Sequence, residues 1–221
     1  LTARTRPWGE GVETDLRAQW DRQPYGLVAD ILNPNAGGGS WGVDLSLSSR
    51  GIDLDELAAN LSGHLYYVDY PNDLNATLFD LWGGGLVNSL LPVFQLGTES
   101  RVNCSIAKFT VDQGIFTPEP LVIDTTRSRV TGKGTIDLPL QAIDLRLKPR
   151  PKQRSLINLS TPVKIRGTLA DPEVQISKSG AALTFFRLSL WVYTVWRDVF
   201  RQPLPADGSD ICLDPFRHPV D

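Results

Sequence analysis

The chain has 221 residues, 41% of them hydrophobic and 21% charged, which marks a globular protein and excludes a disordered segment. That length is enough to bury a sizeable core, as one large domain or two small ones. The formal net charge of −3 gives no overall electrostatic pull toward nucleic acid. Methionine is absent and Leu1 comes first, so the chain is expected to be a piece of a longer protein or a processed product. Its opening, LTARTRPWGE, lacks the apolar centre of a signal peptide.

Residues 1–40 are weakly patterned and end in a turn-rich connection, Asn33 to Ser40. Val43, Leu45 and Leu47 then alternate with Asp44 and Ser46, which predicts a half-buried strand. Asp53 is placed to cap a short helix, with Glu56 as its capping-box partner. Leu54, Leu57, Ala58 and Leu61 form the expected buried stripe of that helix. A strand near Leu65–Val68, a turn at Pro71–Asp73 and a second apolar stretch follow. That stretch is interrupted by Gly83–Gly85, after which Leu86, Val87, Leu90 and Leu91 keep helical spacing.

From Ser105 onward the period is two. Ile106 and Lys108 fall opposite Ala107, Phe109 and Val111, and a turn is expected at Asp112–Gly114. PLVIDT, SRVTGKGTIDLPL and AIDLRL read as further strands. Val163, Ile165, Val174 and Ile176 read as a hairpin around Ala170–Glu173. Such short breaks favour an antiparallel meander, because parallel pairs need long crossovers. Gly180 to Phe200 is different: almost wholly apolar and aromatic, with Arg187 its only charge before Arg197. It predicts a helix with a wide apolar surface, laid on the sheet as core. An interfacial membrane helix and a true span, which needs ~20 apolar residues, are the competing readings.

Motifs that carry chemistry are few. Gly38-Gly39-Ser40-Trp41-Gly42 matches G-x-S-x-G, and Asp214 and His218 follow in triad order. A nucleophile elbow needs a strand before the serine and a helix after it; here a loop precedes and a strand-like pattern follows. TGKGT near Lys133 lacks the spacing of a phosphate loop. Asp53/Asp55 and Asp69/Asp73 lack a calcium loop and read as caps and surface acids. His64 and His218 are too isolated for a metal site, and Cys104 and Cys212 show no zinc spacing. The two cysteines either pair across the fold or stay as separate buried thiols. Neither a cofactor nor a metal is expected. Arg146, Lys148, Arg150, Lys152 and Arg154 recur at every second position, with Pro149 and Pro151 between them. On an extended strand they share one side, as a solvated, aggregation-resistant edge or as a contact for anionic headgroups or an acidic partner.

Read in order, several pieces resemble one family. A cysteine precedes an alternating strand, then come D-x-G and D-T. V-x-G-x-G-x-I-D-L, L-x-L-x-P-x-P and P-V-x-I-x-G-T-L-x-D-P follow. With WGVDLSLSSRGIDLDELAANLSGHL and DLWGGGLVNSLLP upstream, the set is similar to the C-terminal region of the AsmA family, from about Trp41 to Ser177. The resemblance implies a Gram-negative envelope protein with an N-terminal inner-membrane anchor and a β-rich periplasmic body. Such proteins are linked to outer-membrane biogenesis and to phospholipid movement between membranes, and larger relatives form β-grooves that cradle acyl chains. It further implies a Cys104–Cys212 disulfide, since the family often carries a second cysteine near its end and the periplasm is oxidising. The aromatic density of Gly180–Phe200 departs from the family.

The expected fold is therefore β-rich, of the α+β class: a twisted antiparallel sheet, partial barrel or groove with a few helices. Residues 1–40 would close an upstream β-rich region with a linker, and 41–221 would form the AsmA-like C-terminal domain. Ile136, Leu138, Leu140, Ile143, Leu145, Leu147, Val163, Ile165, Val174 and Ile176 are expected to line one apolar face. If that face is open, it is a path for phospholipid or another acyl chain, which needs a continuous apolar surface and no catalytic residue. If it is sealed, the chain is a structural or docking cap that binds an envelope partner. A serine hydrolase using Ser40 is the third reading.

Overall fold

The computed structural model describes residues 1–24, 39–71, 101–152, 162–176 and 204–213. The second apolar stretch after Pro71, the Gly180–Phe200 segment, Arg154, Asp214 and His218 lie outside the described residues. Among the described residues, ten strands form a single open antiparallel sheet, each paired with its successor in the chain. They are β1 (Thr2–Trp8), β2 (Gly11–Pro24), β3 (Gly39–Gly51), β4 (Ser62–Pro71), β5 (Val102–Asp112), β6 (Ile115–Thr125), β7 (Ser128–Asp137), β8 (Ala142–Pro151), β9 (Val163–Thr168) and β10 (Pro172–Ile176). The described residues include one helix, α1 (Leu54–Ala59), between β3 and β4.

The order follows from the turns. Short polar breaks return the chain directly beside the strand it has just left. At Gln113-Gly114 both residues take positive φ, +48° and +74°. This is the mirror-image turn whose twist matches that of a hairpin. The turns at this end of the sheet are stitched together by backbone. The Gly114 N–H donates to Leu61 O at 2.8 Å, Leu138 N–H to Gly114 O at 3.1 Å, and Leu169 N–H to Gln141 O at 2.8 Å.

Three expectations change in the structure. β2 pairs with β3 from Val12↔Gly51 to Pro24↔Ser40, so the sheet runs through position 40 without a break and β1 and β2 belong to it. The Asp53 cap forms as expected, its carboxylate accepting the Glu56 N–H at 2.8 Å, while Glu56 accepts the Ile52 N–H at 3.0 Å. The buried stripe does not form: Leu54 is 82% exposed, because a six-residue helix at the strand ends, leaning mainly on β3, buries none of its residues. The strand expected over SRVTGKGTIDLPL stops at Asp137. The Asp137 carboxylate accepts the Leu140 N–H at 2.8 Å and closes a turn there.

Burial falls into two clusters on opposite faces. One gathers Val130, Leu145, Leu147, Val163 and Ile165, with Leu121, Ile123, Ile136, Ile143 and Val174 packed against it. The other gathers Tyr66, Val68, Cys104, Ile106 and Val122 with Ile211 and Cys212 from the C-terminal segment.

Candidate functional site

Residues directly opposite in an antiparallel pair project to the same face. Following the register from β2 to β9 gives one unbroken row: Trp20, Val43, Tyr67, Ala107, Leu121, Gly132, Leu147 and Val163. Every position is apolar, aromatic or glycine, across eight strands. A parallel line nearer the turns adds Ala18, Leu45, Leu65 and Phe109. Leu145, Ile165 and Val174 continue that side of the sheet on the later strands. Trp20 and Trp41 meet edge-on at 5.8 Å between centroids, as do Phe109 and Phe116 at 6.0 Å. Most of the face is half-buried rather than sealed, and Trp20 is 36% exposed.

Of the residues expected to line this face, Ile136, Ile143, Leu145, Leu147, Val163, Ile165 and Val174 lie on it. Ile176 pairs with Val163 at the backbone. Leu138 and Leu140 do not lie on a strand. Both sit in the β7–β8 turn, where Leu140 is 75% exposed, because the strand alternation stops where Asp137 caps the turn. The contribution of β2 through β6 to the same face went unnamed in the sequence. The alternation at Val43–Leu47 and Ala107–Val111 was visible, but alternation does not say which face of which strand aligns with which.

A polar row interrupts the face beside the apolar one. In the next row Trp41, Asp69, Ser105 and Ile123 stand opposite one another. Asp69 is 6% exposed, and the buried Ser105 hydroxyl has no hydrogen-bond partner among the described residues. Burial, helped by the Asp69 charge, pushes the Tyr67 phenol well above its usual range, so Tyr67 is neutral at any physiological pH.

The opposite face is held by residues 204–213. Cys104 and Cys212 form a disulfide, Cα to Cα 5.8 Å. Beside it lies a buried ionic cluster. The β6–β7 hairpin sets Asp124 opposite Arg129, and the fully buried Asp124 carboxylate accepts from Arg129 Nε at 2.8 Å. It also accepts from Lys152 Nζ at 2.6 Å and from the Asn103 amide at 2.7 Å. Arg129 reaches on with both terminal nitrogens to Asp210, at 2.6 and 2.9 Å. Lys152 Nζ and the Asn103 amide both donate to Ala206 O, at 3.2 and 2.8 Å. Gly208 makes the approach feasible: a Cβ there would meet the Asp124 carboxylate and stand 2.8 Å from Cys212 Sγ.

This cluster corrects the reading of the basic run. Arg146 and Lys148 are exposed on the outer face and Arg150 is partly buried, but Lys152 is only 8% exposed and belongs to Asp124. It does not reach an outside anion. At Arg146 β8 is not an edge, since Ala142–Leu147 pair with β9 as well as with β7, while Lys148–Pro151 pair with β7 alone among the described residues. Ser40 lies inside β3, paired with Tyr70 and Pro24, rather than on a strand-to-helix turn. Among the described residues there is no cluster of metal-ligating side chains, and no helix is long and apolar enough to cross a membrane.

The Arg129 hydrogen bonds hold the Asp210 carboxyl below its usual 3.8. A depressed carboxylate adds stability above its unfolded pKa and loses it as pH falls through the folded value. The wild-type chain is therefore expected to exceed Asp210→Asn in urea midpoint at pH 6. That gap should close as the pH falls below 3.8 toward 2.5. A gap that does not change with pH would deny the Asp210 charge any part in holding the segment.

No protein-family profile matches the chain, and no solved structure matches it. It is 25% identical over 138 residues to the AsmA family protein YhjG of Escherichia coli strain K12. The match covers 62% of this chain and 20% of YhjG, so the chain spans about a fifth of the length of the curated relative it matches. The similarity is distant, and it points to an AsmA-like protein.

Proposed function

We propose that this chain is the C-terminal periplasmic part of an AsmA-like envelope protein, anchored upstream in the inner membrane. In this reading its apolar sheet face carries phospholipid acyl chains between membranes. The observation that supports this reading best is the unbroken apolar row from Trp20 to Val163. An acyl chain lying along it would cross one strand about every 4.8 Å, and each buried CH2 contributes about 0.8 kcal/mol without any directional bond. Binding of this kind tolerates sliding, because each row offers the same surface as the one before. The disulfide fits an oxidising compartment, and the resemblance to YhjG supports the envelope assignment. The chemistry required is burial alone, so the reading is non-enzymatic and uses neither a cofactor nor Ser40.

The test is site-specific photocrosslinking in Gram-negative cells expressing the protein. A photoreactive residue at Leu65, on the apolar face, is expected to yield a phospholipid adduct by mass spectrometry. The same residue at Lys108, exposed on the other face, is expected to yield none. Leu45→Asp, also half-buried on the apolar face, should cut the Leu65 adduct at least several-fold while leaving the circular dichroism spectrum unchanged. A protein adduct at Leu65 with no lipid would instead make the face a docking surface and the chain a cap.

A further inference from the structure

The outer face of β7, β8 and β9 carries a charge arrangement that acyl-chain binding leaves unexplained. Lys133 lies directly opposite Arg146, and Arg146 directly opposite Lys164. Like charges facing each other across adjacent strands destabilise a sheet. Two acids share the face: Asp144 pairs with Arg166 at 3.0 Å and also feels Arg146 and Lys164, and Glu173 stands opposite Arg166, which leaves Lys133, Arg146, Lys148, Lys164 and Arg166 in excess over them. Lys148 extends the patch one step along β8 on the same face. Between the strands is an open hollow of about 280 Å³ lined by Lys133, Gly134, Thr135, Asp144 and Arg146. This local positive surplus stands on a chain whose formal net charge is −3, so it is an asymmetry and not an average property.

At the turn end of the same strands, Leu140 and Leu169 are 75% and 39% exposed. Their two turns are joined through the Leu169 N–H to Gln141 O bond. Cations spread over three strands, with apolar side chains on the adjoining turns, match a surface that is both polyanionic and apolar just beneath. An acidic protein satisfies the cations and leaves the leucines in water. A bilayer satisfies both, since phosphates lie at the level of the cations and hydrocarbon below them.

We propose that this outer face docks on an anionic phospholipid bilayer, with Lys133, Arg146 and Lys164 on lipid phosphates and Leu140 and Leu169 at the headgroup boundary. The cations of the proposal lie on the face opposite the apolar row and the leucines on the turns at its end, and it does not rest on the lipid-carrying reading. Its residues are scattered in sequence over residues 133–169, and only the register brings them together.

Vesicle flotation tests it, using 30% phosphatidylglycerol in phosphatidylethanolamine against pure phosphatidylcholine. The wild-type chain is expected to float with the anionic vesicles alone and to be released by 0.5 M salt. Arg146→Gln/Lys164→Gln should lower the partition coefficient about 30-fold, at about fivefold per basic residue near an anionic leaflet. The charge-matched pair Arg4→Gln/Arg17→Gln, both exposed on the far strands, should change it less than threefold. Equal losses in the two pairs, equal binding to phosphatidylcholine, or binding that survives salt would each overturn the proposal. The salt arm needs no variant and decides the matter even if a substituted chain fails to fold. Soluble polyglutamate bound at the patch, with no vesicle binding, would assign the face to an acidic protein and overturn it too.

Discussion

Asp124→Ala is expected to lower the melting temperature by about 10 °C, the larger of the single-residue effects in this chain. Asp124 is fully buried and receives Arg129, Lys152 and Asn103 at once. Removing one member of a buried ion pair strands its partners and costs about 3–5 kcal/mol. In a chain of this size each kcal/mol moves the midpoint by about 2–4 °C. The two cations are not stranded equally. Arg129 keeps its direct bonds to Asp210, whereas the Lys152 side chain, 2% exposed, keeps the Ala206 carbonyl as its hydrogen-bond partner and feels Asp207 and Asp210 only through space. The damage therefore concentrates on Lys152, and Asp124→Leu/Lys152→Met should recover at least half of the loss, because an apolar pair leaves no buried charge unpaired. Thermal unfolding followed by circular dichroism measures both. A single variant melting within 2 °C of wild type would mean that the cluster adds nothing beyond the disulfide.

The meander was legible because turns and alternation are local properties. Asp112–Gly114 declares a tight hairpin in three letters, and its turn dictates which strands are neighbours. The apolar face was legible only in pieces. Ile143, Leu145 and Leu147 announce one side of β8, but their alignment with Trp20, six strands away in the sheet, depends on accumulated register. That register is altered by bulges between Trp20 and Gln23, between Ala107 and Phe109, and between Phe116 and Leu121, which no local pattern marks. Leu138 and Leu140 show the same limit from the other side, since their alternation continues on paper past the residue where Asp137 turns the chain. The basic run misled for a different reason. A side-chain period of two assigns Lys152 to the same face as Arg146 correctly, but it cannot say that Asp124 and Ala206 cover that face at its far end. Asp124 itself gave a signal, an acid following the apolar PLVI and five residues before Arg129, the spacing that a tight hairpin turns into a pair.

Cys104→Ser/Cys212→Ser is expected to lower the melting temperature by a comparable amount while leaving the folded segment 204–213 in place. The two cysteines are 108 residues apart. In the chain-entropy account a cross-link over about that length restrains the unfolded ensemble by about 4–5 kcal/mol, and measured disulfides more often give about 2–4. That contribution lies in the unfolded state and leaves native contacts untouched. In the folded state the segment has independent holds: Arg129 on Asp210, Lys152 and Asn103 on Ala206, and Ile211 packed with Val68 and Ile106. Cleavage by an Asp-specific protease at Asp207 or Asp210, well below the melting point, should therefore be as slow in the serine variant as in wild type. Adding Asp124→Ala should expose both sites and raise the cleavage rate at least tenfold, with the two losses coupled rather than additive, as expected for groups that hold one segment. If the serine variant alone is cleaved rapidly, the covalent bond is what keeps the segment docked. The ionic cluster would then form only because the disulfide brings it together.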